Sequence, residues 1–495
     1  MPNATTLNEP EINEAVLETT VERCRQRGII IPTIAQQKDP TTIPDSVTRR
    51  LQQVGLWDVD PVNLFRITWK NQPQSHGGLF NEGNWIEFPS ALTGVDARIV
   101  GLVGKYFPTG AHKVGAAFGC LVPRLVTGAF DPARQKAVWP STGNYCRGGA
   151  FDCALLACTP VAILPEQMSR ERFEWLREIG AEVIATPGCE SNVKEIYDKC
   201  WEIRRTQPDS VIFNQFEEFG NPVWHYHVTG SIVEEVFDRI KRPGDQLSAY
   251  VSATGSAGTI AAGDYLRTRF GRIIVTATEA LQCPTLLANG FGAHRIEGIG
   301  DKHVPWVHNV RNTDVVCAVD DEQCMSLVRL FNEDAGRDCL ASRGVSSAVI
   351  EQLPLLGISA ICNLVAAVRI AKYFELTARD VIVLPLTDSI DLYASRVEEL
   401  RTEHGPYTPA DASAHFSRYL DAIAIEHMRE LTYPQRKALH NLKYFTWVEQ
   451  QQRTVQDLNR LWDPDFWVET FAQADTWDRL IRDFNRRTGL LDTGG

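Results

Sequence analysis

The sequence predicts an α/β fold, parallel sheet with crossover helices, followed by an all-helical C-terminal extension. Two observations carry the first part. Short apolar runs recur from about Ala97 to Leu386, and amphipathic stretches of helical length lie between them. Parallel strands cannot be joined by a tight turn, so this alternation is what a parallel sheet requires. A third observation carries the extension: after Val397 no β run appears, and Trp447, Trp462, Trp467 and Trp477 punctuate otherwise charged sequence.

Taken in order, residues 1–95 are polar, Pro-rich and weakly periodic, and read as an N-terminal extension packed on the lobe that follows. Buried strands are expected at ARIVGLV (97–103), KAVW (136–139), PVAILP (160–165), AEVIAT (181–186) and VIFNQF (211–216). Further strands are expected at LSAYVSAT (247–254), IIVTATEA (273–280), TDVVCAV (313–319) and VIVLPL (381–386). Each is a short, nearly continuous apolar run, the pattern of a strand covered on both faces. ERFEWLREIG (171–180), TGSIVEEVFDRI (229–240) and ISAICNLVAAVRIAKYFEL (358–376) read as helices. In the extension, YPQRKALHNLKYFTWVEQQQRTVQDLNRLW (433–462) reads as an amphipathic helix with Pro near its start.

Composition narrows the class. With 44% hydrophobic and 23% charged residues, the chain is globular rather than collagen-like or disordered. Its net charge of −12, without long Lys/Arg runs, argues against nucleic-acid and anionic-membrane partners and for small molecules. The twelve cysteines show no CxxC spacing and read as reduced thiols packing as small hydrophobes in the cytoplasm. The N-terminus lacks the cationic start and apolar core of a signal peptide, and no apolar stretch reaches membrane-span length.

Four segments carry chemistry. In PTGAHKVGAAFG (108–119), Lys113 opens a small-residue helix, where the macrodipole disfavours a cation. The small neighbours leave room for something bulky, and an imine to a carbonyl cofactor with a compensating phosphate fits; taken alone, the segment also reads as a surface lysine on an Ala-rich helix. STGNYCRGG (141–149) offers hydroxyls and glycine amides as a carboxylate nest, or an ordinary capped turn. ATGSAGTIAAG (253–263) is an anion-binding turn or a simple tight turn; it is neither a Walker loop nor a clean GxGxxG. In VIVLPLTDSIDLYASR (381–396), Ser389 and its neighbour Asp388 follow a buried strand, where ligands collect in open α/β sheets; a helix cap is the plainer reading.

Their order is more specific than any one of them. Lysine after GAHK, a Ser-Thr-Gly-Asn loop, a Gly-rich turn and a serine after the final strand resemble the fold-type-II pyridoxal-phosphate enzymes, the cysteine synthase and tryptophan synthase β superfamily, from roughly Gly94 to Arg396. ILPEQMSRERFEWLREIGAEVIAT (163–186), NQFEEFGNPVWHYHVTG (214–230), ANGFGAHRIEGIG (288–300) and GIS (357–359) are similar to segments on the cysteine synthase side of the group. The resemblance implies two lobes: a cofactor lobe of 96–135 and 222–396, and a small mobile lobe of 136–221, flanked by the extensions 1–95 and 397–495. It implies pyridoxal 5'-phosphate as cofactor and no metal. Lys113 would form the internal aldimine, and Asn144 would contact the cofactor's phenolic oxygen. Ser141, Thr142 and Gly143 would hold the substrate carboxylate, with Tyr145 in the substrate pocket. Gly255, Ser256, Ala257, Gly258 and Thr259 would cradle the phosphate, and Ser389 would face the pyridine nitrogen. A hydroxyl there suits elimination better than transamination; an Asp388 partner would reverse that argument.

The implied activity is β-elimination or β-replacement on a small amino acid through an aminoacrylate, by a cytoplasmic homodimer. Two alternatives stay open. The helical extension resembles the subunits that include 2-amino-4-ketopentanoate thiolase, which implies coenzyme-A-dependent C–C cleavage with a small companion subunit. A cofactor-binding scaffold without catalysis is the other. Tyr145 and Arg147 depart from the cysteine synthase pattern and are expected to reshape the pocket or bind a second anion. His112 is a candidate phosphate contact, Cys146 a candidate reactive thiol if Arg147 lowers its pKa. His225 with His227, and His294 with His303 and His308, are expected to pack rather than bind metal.

Overall fold

The computed structural model describes residues 10–141, 143–189 and 192–491. Its strands, in chain order, are β1 (Trp85–Phe88), β2 (Arg98–Val103), β3 (Lys136–Pro140), β4 (Thr159–Pro165), β5 (Glu182–Thr186) and β6 (Ser210–Ile212). They continue with β7 (Gln246–Ala253), β8 (Ile274–Ala280), β9 (Val315–Val319), β10 (Asp380–Leu386) and β11 (Met428–Glu430). Two sheets result: a seven-stranded sheet ordered β1-β2-β10-β7-β8-β9-β11, and a four-stranded sheet ordered β5-β4-β3-β6. The chain leaves the large sheet after β2, builds the whole small sheet, and returns at β7.

The small sheet and the middle five strands of the large one are parallel. Their burial explains their apolar sequences: β2, β9 and β10 are buried at every position. Each edge of the large sheet carries a short antiparallel strand, β1 on β2 and β11 on β9. Both correct the sequence expectation. The large sheet begins before residue 96, and the C-terminal extension is helical apart from β11. The VIFNQF run also stops short as a strand: β6 ends at Ile212, and the following Asn214 bonds the Phe216 amide through its side chain.

The stretch 433–462 is two helices rather than one. Tyr433–Asn441 passes into a π-helical turn, Tyr444–Val448, and the chain then breaks at Gln452, whose φ is 62°. A new helix, Val455–Arg460, starts under a capping box between Thr454 and Asp457. Trp447 is fully buried, its indole donating to the Val304 carbonyl at 2.8 Å, and the wider turn brings it there.

The two ends of the chain clasp each other. Pro464–Thr488 is a 25-residue helix, and it packs along the N-terminal helix Glu14–Arg27. Asn485 bonds both the amide and the carbonyl of Ile31, at 3.0 and 2.7 Å. Asp478 accepts from the amides of Ile34 and Ala35, at 2.6 and 3.0 Å, at the start of the helix Ile34–Lys38. Those amides are first-turn donors without intrahelical partners. Asp478→Ala is therefore expected to lower stability by about 1–3 kcal/mol, the cost of stranding buried donors; urea denaturation measures it, and an unchanged midpoint would refute the clasp.

All twelve cysteines are free thiols, ten of them buried. Among the described residues no helix is long and apolar enough to cross a membrane.

Candidate active site

Five loops converge at the carboxyl ends of parallel strands, the place where open α/β sheets bind ligands. The loop after β2 brings Lys113, that after β3 brings Ser141, Asn144 and Tyr145, and that after β6 brings Gln215 and Phe216. The loop after β7 supplies Gly255, Ser256, Ala257 and Thr259, and that after β10 supplies Thr387. Gly298, Ile299 and Asp301 complete the wall of the cleft.

Lys113 is the first residue of the helix Lys113–Leu125. The strand-to-helix loop before it is tight: Thr109 and Gly110 both take left-handed φ, 69° and 72°. Its Nζ donates to Ser256 Oγ at 2.8 Å and lies 3.3 Å from Gln215 Oε1. The small residues around it do not make room for a ligand, as the sequence suggested. The Trp224 indole fills the space over Gly115, and the Gly220 backbone lies against Gly119.

The turn at 255–259 has the form of an anion cradle. Ala257 adopts φ 58°, a left-handed conformation that turns successive amides inward. Among the described residues, no backbone carbonyl takes a hydrogen bond from the amides of 255–259. Ser256 Oγ, besides receiving Lys113, accepts from Asn221 Nδ2 at 3.0 Å, and Asn221 in turn donates to the Gln215 carbonyl at 2.9 Å. Gly258 is not on the wall; it lets the Asn221 amide lie directly against the turn.

In the second turn, Ser141 Oγ accepts from the Gly143 amide at 3.0 Å, and Gln215 Nε2 approaches the same oxygen at 3.5 Å. Gly143 is set back, with the Arg172 guanidinium packed against its α-carbon. Thr142 lies outside the described residues. Asn144 donates to Asp388 at 2.6 Å, leaving its own Oδ1 buried without a partner. Tyr145 is buried with its ring edge-on to Trp139, and burial pushes its phenol well above the usual range.

At the β10 end the wall is Thr387, not Ser389. Ser389 is buried at the head of the turn Ile390–Tyr393, where its carbonyl accepts from the Leu392 amide. Asp388 also turns from the cleft: its Oδ2 accepts from Asn144 and from the Tyr393 hydroxyl, both at 2.6 Å. Burial raises its carboxyl above the ordinary range, the Tyr393 and Asn144 hydrogen bonds opposing. Gly357, of the GIS segment, leaves the space that Asp388 Oδ1 occupies.

The remaining candidates have structural surroundings. His112 is fully buried between Trp69 and His225, and burial with the neighbouring Lys113 charge brings it down to about 3. His225 bonds Thr229, His227 the Phe471 carbonyl, His294 the Gly300 carbonyl, His303 the Tyr197 hydroxyl and His308 Thr313. No group of three His, Cys, Asp or Glu gathers among the described residues. The Cys146 thiol donates to the Gly143 carbonyl and burial pushes it up to about 12, outweighing Arg172 and Arg147. Arg147 stacks on Trp57 and Trp175 and is likewise absent from the wall. Gln215, Asp301 and Thr387 are the polar wall residues that motif reading did not assign a role. Gln215 and Asp301 lie in or beside quoted segments, but nothing in their local pattern points inward.

The donor set fits a phosphate-bearing aldehyde. A primary amine stands beside an open amide cradle, Asn144 Oδ1 is an orphaned buried acceptor, and Tyr145 and Phe216 supply flat walls. Known proteins agree. A family model described as pyridoxal-phosphate dependent enzyme matches residues 105–388. The chain is 28% identical over 230 residues to a probable cysteine synthase of Bacillus subtilis, spanning 46% of this chain and 72% of that relative. It is 27% identical over 319 residues to cystathionine beta-synthase of Saccharomyces cerevisiae, spanning 63% and 59%. A hydrogen sulfide-producing enzyme from Fusobacterium nucleatum has the same fold, with TM-score 0.54 at 21% identity over 66% of this chain and 98% of that one.

Proposed function

The chain belongs to the pyridoxal-phosphate dependent enzyme family, and from that membership we propose that it catalyses β-elimination or β-replacement on a small amino acid. One observation carries the reading: a single cleft presents the Lys113 amine between the turn at 255–259 and the side chains of Ser141 and Asn144. The two sides of the amine suit a cofactor phosphate and a substrate carboxylate. Cysteine synthase and cystathionine beta-synthase relatives support the same reaction class.

When bound, pyridoxal phosphate supplies an electron sink conjugated to the substrate's α-carbon. The 255–259 amides, with Ser256 and Thr259, hold its phosphate. Asn144 would hold the phenolic edge, and Thr387, in place of the expected Ser389, would offer the ring a neutral hydroxyl. Ser141, on the wall, would orient the substrate carboxylate, the Gly143 amide holding its hydroxyl. Lys113 Nζ would hold the cofactor's aldehyde and, as a free amine, would take the substrate's α-proton. The small lobe, carrying the 141–145 turn, closes and excludes water.

The test is a panel of β-substituted amino acids: L-serine, L-cysteine, O-acetyl-L-serine and β-chloro-L-alanine. The expected result is a change in the visible spectrum of the holoenzyme, with release of a 2-oxo acid or transfer to an added thiol. Silence with all four would overturn the reading. The enzyme acts in the cytoplasm as a homodimer; exposed Tyr433, Phe445, Val455 and Val468 on the C-terminal extension offer apolar surface for a second copy. Sedimentation at twice 55.4 kDa checks the dimer, and a monomer would refute it.

A further inference from the structure

Asp301 is the one carboxylate among the described residues lining the cleft, and the steps above leave it without a task. It ends the Gly-Ile-Gly-Asp run at 298–301, whose glycines take left-handed φ of 93° and 82° and bring the backbone close to the cradle. Gly255 packs against the Gly298 carbonyl, so the two loops meet backbone to backbone. The Asp301 carbonyl is pinned by the Thr285 hydroxyl at 2.6 Å. The residue is 93% buried and its Oδ2 has no hydrogen-bond partner. Unpartnered buried carboxyl oxygens are costly, and functional sites are where they persist.

Burial pushes the Asp301 carboxyl up to about 7, with the Lys113 charge opposing. The other titratable groups it faces are Tyr197 and Cys283, both raised by burial and therefore neutral near that pH. Tyr145, the other acid on the wall, is held too far above neutrality to exchange its proton readily. Besides Lys113, Asp301 is the group on this wall placed to both give and take one.

Resting on the reaction class above, we propose that Asp301 is the general acid–base at the substrate's β-carbon, and that the enzyme's substrates carry a poor leaving group there, a hydroxyl or a thiol. As the Cβ–X bond breaks, its electron pair goes to X and the Asp301 carboxyl proton follows, so that HX departs. Asp301 is left as carboxylate. In replacement, the incoming water or thiol gives its proton to that carboxylate as the new bond to Cβ forms. In elimination, the carboxylate recovers its proton from solvent. Nothing is oxidised or reduced.

The experiment compares wild-type and Asp301→Asn holoenzymes on L-serine and on β-chloro-L-alanine, whose chloride leaves unprotonated. With L-serine the variant is expected to lose about 10²–10⁴-fold in kcat/KM, the range of a general acid, while the loss with β-chloro-L-alanine stays within a few fold. Infrared difference spectra of the cofactor-free proteins should show a protonated carboxyl at about pH 6 that fades above the ordinary neutral range and is missing from the variant. Equal losses on the two substrates, no loss on L-serine, or no titrating carboxyl would overturn the assignment. If Asp301→Asn folds poorly, Asp301→Ala serves, with added formate restoring L-serine turnover; absence of rescue counts against it. A wild type active on β-chloro-L-alanine alone overturns only this inference. One inactive on both overturns this inference, and silence on the whole panel of four overturns the reaction reading as well.

Discussion

Replacing Lys113 by alanine is expected to abolish two properties together: turnover, and the borohydride-sensitive visible absorbance of the holoenzyme. The amine has two tasks in the proposed chemistry, covalent attachment of the cofactor and removal of the α-proton. Loss of a general base alone costs about 10²–10⁴ in rate, and loss of the covalent link adds to it. The fold should survive, because Lys113 only opens its helix, and the buried face of that helix begins at Val114. Lys443 provides an internal control. It is the buried lysine whose ammonium donates to the carbonyls of Trp306 and His308, and it does not line the cleft. A borohydride-sensitive band that persists in Lys113→Ala would relocate the attachment to another lysine and end the site assignment.

Gly258→Val is expected to weaken pyridoxal phosphate binding about 10–100-fold, as overpacking of about 1–3 kcal/mol translates into affinity. A Cβ at 258 would overlap the Asn221 amide. Asn221 cannot yield freely, since its Nδ2 bridges Ser256 Oγ and the Gln215 carbonyl, and those residues in turn contact Lys113. The strain therefore reaches the cradle and the amine at once. Titrating the cofactor-free protein while following tryptophan fluorescence measures it. An affinity equal to wild type would mean that the turn does not hold the phosphate.

The parallel strands were legible because burial on both faces leaves a long apolar signature, as in RIVGLV of β2 and DVIVLPL of β10. The two antiparallel edges were not. β1 is buried at alternate positions only, and β11 has a half-buried methionine followed by two exposed charged residues. Strands so short and so exposed carry too few apolar positions to show a period. The long helix expected at 433–462 failed differently: its apolar spacing is helical on both sides of a break imposed by burying Trp447 and capping at Thr454.

The site divides along the same line. Lys113, the 141–145 turn and the 255–259 turn stand out locally, since an anion cradle needs small residues in sequence and a lysine before a small-residue helix is unusual. Sequence by itself determined the α/β class, the family and the position of the two small-residue turns proposed to receive anions, because each shows in residues near one another in the chain. Tertiary structure decided what faces the cleft. It placed Thr387 there, turned Asp388 away through bonds to Asn144 and Tyr393, the first across 244 residues, and set Ser389 at the head of the turn Ile390–Tyr393. It also brought Gln215 and Asp301 to Lys113, across separations that no local pattern records. Side-chain direction at a strand end depends on which partners lie across the fold, and only packing selects them.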